Sequence, residues 1–208
     1  MNRTITIRVV TATVVLLFTA ATWTQSGQLT LSWLKLFSVA VSSATVILIT
    51  WDLWLWRIPI VQLIPGVPRN IRGTWQGKLE TFWTDPISGN QPPTKVVYLV
   101  VRQTATLVTT RMLTNESRSS SSLAAITASD GSSELAYVYL NRPNASVEHR
   151  SRMHHGSTVL DITGSPATRL HGRYWTDRDT KGELDFTHRN RNLSDDFESA
   201  EKLFARDN

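Results

Sequence analysis

Arginine beside hydroxyls, and tyrosines at alternate positions, are the residues whose types and spacing here suit chemistry. In "SRSSSS", Arg118, Ser120 and Ser122 fall on one face of an extended chain. A guanidinium among hydroxyls suits a phosphate or the edge of a nucleobase. Arg102 and Arg111 lie on neighbouring β-rich runs and are expected to point the same way. Tyr98, Tyr137, Tyr139, Tyr174 and Trp175 offer flat faces on which bases stack. Trp75 stands between glycines in "GTWQG". Each aromatic, taken singly, also reads as half-buried core.

Catalytic patterns are not found. The five histidines, His149, His154, His155, His171 and His188, form no H-x-x-x-H pair, and the adjacent His154 and His155 point apart on a strand. There is no G-x-S-x-G, P-loop or dinucleotide fingerprint. Asp177, Asp179 and Asp185 read as turn residues before they read as paired acids. Cysteine is absent, which excludes disulfides, a thiol nucleophile and a cysteine metal site. The expectation is a binding protein, not an enzyme, without metal or cofactor.

These residues need a β scaffold. Strands are predicted near 72–83, 94–103, 105–114, 118–128, 134–141, 157–164, 168–176 and 182–189, rich in valine, threonine, tyrosine and tryptophan. In "ELAYVYLN", Leu135, Tyr137 and Tyr139 share one face. "DG" at Asp130–Gly131 and "DTKG" at Asp179–Gly182 supply hairpin turns, and "DPISGNQPP" a longer loop. Eight short strands with no helix between them predict an all-β domain, an antiparallel barrel or sandwich. "GTWQG" resembles the first strand of lipocalin-like barrels, where the tryptophan closes the floor. In "NLSDDFESAEKLFARDN", Leu193, Phe197, Ala200 and Phe204 share a helical face, with Ser194 as cap. A short C-terminal helix should pack on the barrel.

Upstream the chain changes character. Leu29–Thr50 is long and apolar enough to cross roughly 30 Å of hydrocarbon, with Lys35 near one end. Tryptophans bracket it: Trp33 on one side, and Trp51, Trp54 and Trp56 in "WDLWLWRIP" on the other. Thr4–Trp23 is a second apolar run, read as a first span in preference to a signal peptide. Arg3 and Arg8 flank the first run, Arg57, Arg69 and Arg72 follow the second, and the loop Thr24–Gln28 is uncharged. By the positive-inside rule both ends face the cytoplasm. The expected plan is a two-helix hairpin over 1–57, a proline-rich linker over 58–70, and a β-barrel with its helix over 71–208. Small residues Ala40, Ser43 and Ala44 suit close helix packing, and Asp52 sits where the second span ends. Residues 1–56 carry a net +2 of the chain's +5, so the β domain is only mildly basic and long nucleic acid is not an expected partner.

Two spans and a proline-rich exit precede "RGTWQG", "SRSSSSLAAI", "LAYVYLN", "HHGSTVLDI" and "LHGRYWTDRDTKGEL". In that order they resemble the SMODS-associating two-transmembrane, β-strand-rich effectors, the membrane effectors of cyclic-oligonucleotide-based anti-phage signalling (CBASS). The resemblance implies a cytoplasmic barrel that receives a cyclic dinucleotide from a partner nucleotidyltransferase. It further implies homo-oligomerisation, disruption of the inner membrane by the helices, and abortive infection. The rival expectations are a membrane-tethered carrier of an apolar molecule and a scaffold whose barrel binds protein.

Overall fold

The computed structural model describes residues 12–17, 19–20, 31–85, 89–129, 132–149 and 151–206. Alternation of inward apolar and outward polar residues produces eight strands: β1 Gly73–Thr81, β2 Lys95–Gln103, β3 Val108–Leu113, β4 Ser117–Ser129, β5 Ser132–Pro143, β6 His154–Thr163, β7 Arg169–Thr176 and β8 Lys181–Asn190. Each pairs antiparallel with the next, and β1 pairs with β8, so the sheet closes into a barrel. Closure leaves no sheet edge over the paired rungs. Inside it pack Leu99, Val101, Met112, Leu135, Leu160, Leu170, Leu184 and Phe186.

Trp75 closes one end. It is wholly buried, its indole N–H donates to the Ile71 carbonyl at 2.8 Å, and the Arg189 guanidinium lies 5.3 Å over its ring. Arg189 also donates to the Asn70 and Arg72 carbonyls, at 2.9 and 2.7 Å. Burial, and then the neighbouring Arg191 and Arg72, pull its pKa down to about 10. The chain enters β1 here through Gly73, whose φ of +146° and close approach to the Asn190 carbonyl leave no room for a side chain.

The C-terminal helix α2, Phe197–Ala205, covers the outer wall, as its apolar face predicts. Ala200 and Phe204 pack on Tyr98, Val100 and Leu113. Its cap differs from the expectation. Asp196 is the N-cap and forms a capping box with Ser199, which holds the Asp196 carboxyl below its usual range. Ser194 instead donates its backbone N–H to Thr74 Oγ1 and is buried.

The chain divides into two compact units, Met1–Val67 with Thr104–Thr106, and Pro68–Gln103 with Leu107–Asn208. In the first unit a helix, Leu31–Leu53 (α1), contains most of the second predicted span. Among the described residues Phe37–Arg57 is the one segment long and apolar enough to cross a membrane. Residues 12–17 and 19–20 are helical; the rest of the first predicted span, the loop after it, and the Asp130–Gly131 turn lie outside the described residues. Ala40 and Ala44, one helical turn apart, are buried within the chain, whereas Ser43 faces outward. Trp54 is exposed, and Trp56 is buried beneath the Arg57 guanidinium at 5.6 Å. Asp52 accepts at Oδ1 from Thr106 N at 2.9 Å and Thr106 Oγ1 at 2.8 Å. Its carbonyl accepts from Ala105 N at 3.0 Å.

A candidate ligand-binding cavity in the barrel mouth

The end of the barrel away from Trp75 is ringed by the β1–β2, β3–β4, β5–β6 and β7–β8 connections. It opens into a cavity of about 410 Å³. That lies within the range of small-molecule sites, about 300–1,000 Å³. Its wall is built strand by strand from inward-facing positions. Leu79 and Thr81 come from β1, Lys95 from β2, Met112 from β3, and Ser117 and Ser119 from β4. Tyr139 and Asn141 come from β5, His154 from β6, and Tyr174 from β7. Trp83, Glu116 and Arg178 add to it from the connections.

The polar groups are held in place. Ser119 Oγ donates to Asn141 Oδ1 at 2.8 Å, and both residues are buried. Lys95 Nζ meets Glu116 Oε2 at 2.8 Å. Arg178 donates to the Ser151 hydroxyl at 3.3 Å and the Arg152 carbonyl at 3.1 Å. The Asp179 backbone takes a φ of +58°, turning the β7–β8 hairpin. Gly182, expected in that turn, instead lies within β8, against the Glu80 carbonyl and the Tyr174 ring. Gly156 does the same for Tyr139: a Cβ there would collide with the phenol ring, so glycine lets the ring lie flat against β6.

The inner tyrosines are kept neutral. Burial pushes Tyr137 up to about 12, with the Thr158 hydroxyl beside it pulling the other way. Among the described residues neither hydroxyl is in bonding geometry with a partner. Tyr139 is raised by burial and then by Tyr137, Tyr174 and Asp177; burial also raises Tyr174. The Tyr137 and Tyr139 ring centroids are 5.9 Å apart.

Of the residues singled out from sequence, Tyr139 and Tyr174 line this cavity, and Tyr137 lies one layer beneath Tyr139. Trp75 belongs to the floor. The others share the outer wall. Arg102, Arg111 and Ser120 border a shallow groove of about 180 Å³, and Arg102 pairs with Asp195 at 3.2 Å. Arg118 is paired in register with Leu113, which packs against α2. Tyr98 stacks on Phe204, with ring centroids 5.7 Å apart. Trp175 faces outward.

The reason is one extra residue. Ala124 and Ile126 pack against the core, and plain alternation would put Ser122, Ser120 and Arg118 inside with them. The register shifts between Ser121 and Leu123, so Ser122 bulges and everything before it changes face. Ser117 and Ser119 therefore point inward. Lys95, Glu116, Asn141, His154 and Arg178 were not expected. Asn141 was legible, since it shares parity with Leu135, Tyr137 and Tyr139; Arg178 was not, because a turn residue has no face to read.

Asp177 and Asp179 lie in the β7–β8 turn, as read from sequence: Asp177 Oδ2 accepts from His155 N at 3.0 Å, and Asp179 has the positive φ. Asp185 is not a turn residue: it sits within β8, paired in register with His171, and is held on the outer wall by Arg169 at 2.7 Å. Among the described residues no cluster of three or more His, Asp or Glu has metal-site spacing.

Residues 66–188 match the family described as "Cap15, cyclic dinucleotide receptor domain". This chain belongs to that family. The match spans every residue that lines the cavity. The match supports the coarser part of the sequence resemblance, a CBASS effector with a cyclic-dinucleotide-binding domain. A curated relative, the CD-NTase-associated protein 15 of Staphylococcus schleiferi, is 27% identical over 154 residues, covering 74% of this chain and 79% of its own length.

Proposed function

We propose that the mouth of the barrel is the receptor site for a cyclic dinucleotide, and that the protein is a membrane effector of CBASS. The observation that carries this is the mixture of groups in one cavity: the cations Lys95 and Arg178, the amide of Asn141, and the aromatic faces of Trp83, Tyr139 and Tyr174. Phosphates call for cations, base edges for amides and hydroxyls, and base faces for aromatics. A carrier of apolar molecules would not set Lys95, Glu116, Ser117, Ser119 and Asn141 in its wall.

The ligand is made in the cytosol by a partner nucleotidyltransferase, so the barrel faces the cytoplasm of a cell whose inner membrane holds the helices. Binding favours a homo-oligomer because the assembled state holds ligand more tightly than the monomer. Helices gathered side by side then breach the bilayer, and infection is aborted. The arginine asymmetry of the sequence and the span Phe37–Arg57 support this arrangement.

The test uses the full chain in liposomes loaded with a dye. A cyclic dinucleotide (diadenylate, diguanylate or mixed) should trigger release, and AMP should not. Intact liposomes at every protein density, with ligand demonstrably bound, would leave the helices as an anchor only.

A further inference from the structure

Two cations face the cavity, and they are bonded differently. Lys95, at the start of β2, meets a carboxylate: Glu116 Oε2, at 2.8 Å. Arg178 reaches from the β7–β8 turn toward the start of β6, where it donates to the uncharged Ser151 hydroxyl and Arg152 carbonyl, at 3.3 and 3.1 Å. In the closed order β6 stands four strands round from β2, so the guanidinium lies across the mouth from Lys95.

The carboxylate is not there by the accident of a loose side chain. The turn that carries Glu116 is fastened on both sides. Glu116 N and Ser117 N both donate to Thr114 Oγ1, at 3.1 and 2.8 Å, and Thr114 N donates to the Ser117 carbonyl at 3.0 Å. Asn144 N donates to the Glu116 carbonyl at 2.8 Å, and Asn144 Nδ2 to the Asn115 carbonyl at 3.2 Å, which ties the turn to the β5–β6 connection. A monoanionic group is therefore presented to the Lys95 ammonium at contact distance, inside the cavity.

A phosphodiester is also a monoanion that bonds through oxygen, and it needs the same place. We infer that Glu116 is a built-in competitor for one phosphate of the ligand. It holds Lys95 until a phosphate takes over the ammonium, while the Arg178 side of the mouth takes the other phosphate without such competition. This inference rests on the receptor reading above. The competitor tunes sensitivity: an anion carrying a single phosphate has no second group with which to displace Glu116, and a weak ligand is discouraged.

The experiment is a calorimetric titration of the full chain in detergent with cyclic diadenylate, cyclic diguanylate and cyclic GMP–AMP, using the wild type, Glu116→Gln, Lys95→Gln and the double variant. Glutamine keeps the shape of Glu116 and removes its charge. A half-exposed ion pair is weak, so Glu116→Gln should tighten the cognate ligand about two- to fivefold. Lys95→Gln should weaken it, and in that background Glu116→Gln should bring no gain. Thermal unfolding of each variant confirms that it is folded. If Glu116→Gln binds no more tightly, or gains equally without Lys95, the competitor inference is overturned while the receptor reading stands. If the wild type binds none of the three, the receptor reading falls and takes this inference with it.

Discussion

Ser119 donates its hydroxyl hydrogen to Asn141 Oδ1 at 2.8 Å, side by side on β4 and β5 at the inner wall of the mouth. The bond fixes the amide with its NH₂ as the end left for a guest. Asn141→Asp keeps an acceptor for Ser119 but replaces the donor with an anion. Affinity for a cyclic dinucleotide should fall at least tenfold, as expected for a lost bond to a charged group, worth about 1.5–3 kcal/mol. Unchanged affinity by calorimetry would remove Asn141 from the site.

Gly156 and Tyr139 make a second matched pair, since the phenol ring occupies the space a Cβ would take. Gly156→Ala must push the ring off β6 and into the cavity. Overpacking of this kind costs about 1–3 kcal/mol. Urea unfolding should show that loss, and ligand affinity should drop with it because Tyr139 lines the site.

Much of this fold is written in alternation, and the part that is not turns on one residue. The strands are readable from their β-branched and aromatic residues, and α2 from the spacing of Phe197, Ala200 and Phe204. Parity along β5 correctly groups Tyr137 and Tyr139 inside. Parity along β4 fails at Ser122, because a bulge leaves no mark in a run of serines, and the arginine face moved from the inner to the outer wall. Tyr98 shows a different limit. Alternation says which residues share a face, but not that α2 would claim that face and bury the ring from outside.

The buried phenols predict alkaline lability. An unfolded tyrosine releases its proton near pH 10, whereas folded Tyr137 keeps its proton to about 12. Between these values the unfolded state loses the proton and the folded state does not, so stability falls as pH rises. Below pH 10 both states keep the proton and this pH dependence disappears. Each such group contributes a slope of about 1.4 kcal/mol per pH unit in that window. Tyr137→Phe should make the decline shallower by about one group's worth, measured as the urea midpoint from pH 9 to 12.

Asp185 predicts the opposite edge. The hydrogen bond from Arg169 holds its carboxyl below the usual range, against a smaller opposing push from burial. The stability it contributes is present above the unfolded value of about 3.9 and is lost as pH falls through the folded one. Acid unfolding of Asp185→Asn should begin from a lower stability at pH 6 and depend less steeply on pH below 4.

Asp52 and Thr106 give a test within the first unit. If Asp52 acts through its two bonds to Thr106, Asp52→Ala and Thr106→Ala should alter ligand-triggered dye release in the same direction, with the aspartate change larger. A change with Asp52→Ala alone would place the carboxylate on the path through the membrane instead.

The most direct measurement is calorimetry of the full chain in detergent against the panel of cyclic dinucleotides, with Arg178→Ala and Tyr174→Ala in the mouth and Arg111→Ala on the outer wall. The account predicts heat of binding for at least one ligand, lost or strongly reduced in both mouth variants and unchanged in Arg111→Ala. No heat with any cyclic dinucleotide, or heat that survives Arg178→Ala and Tyr174→Ala but is lost with Arg111→Ala, would contradict it.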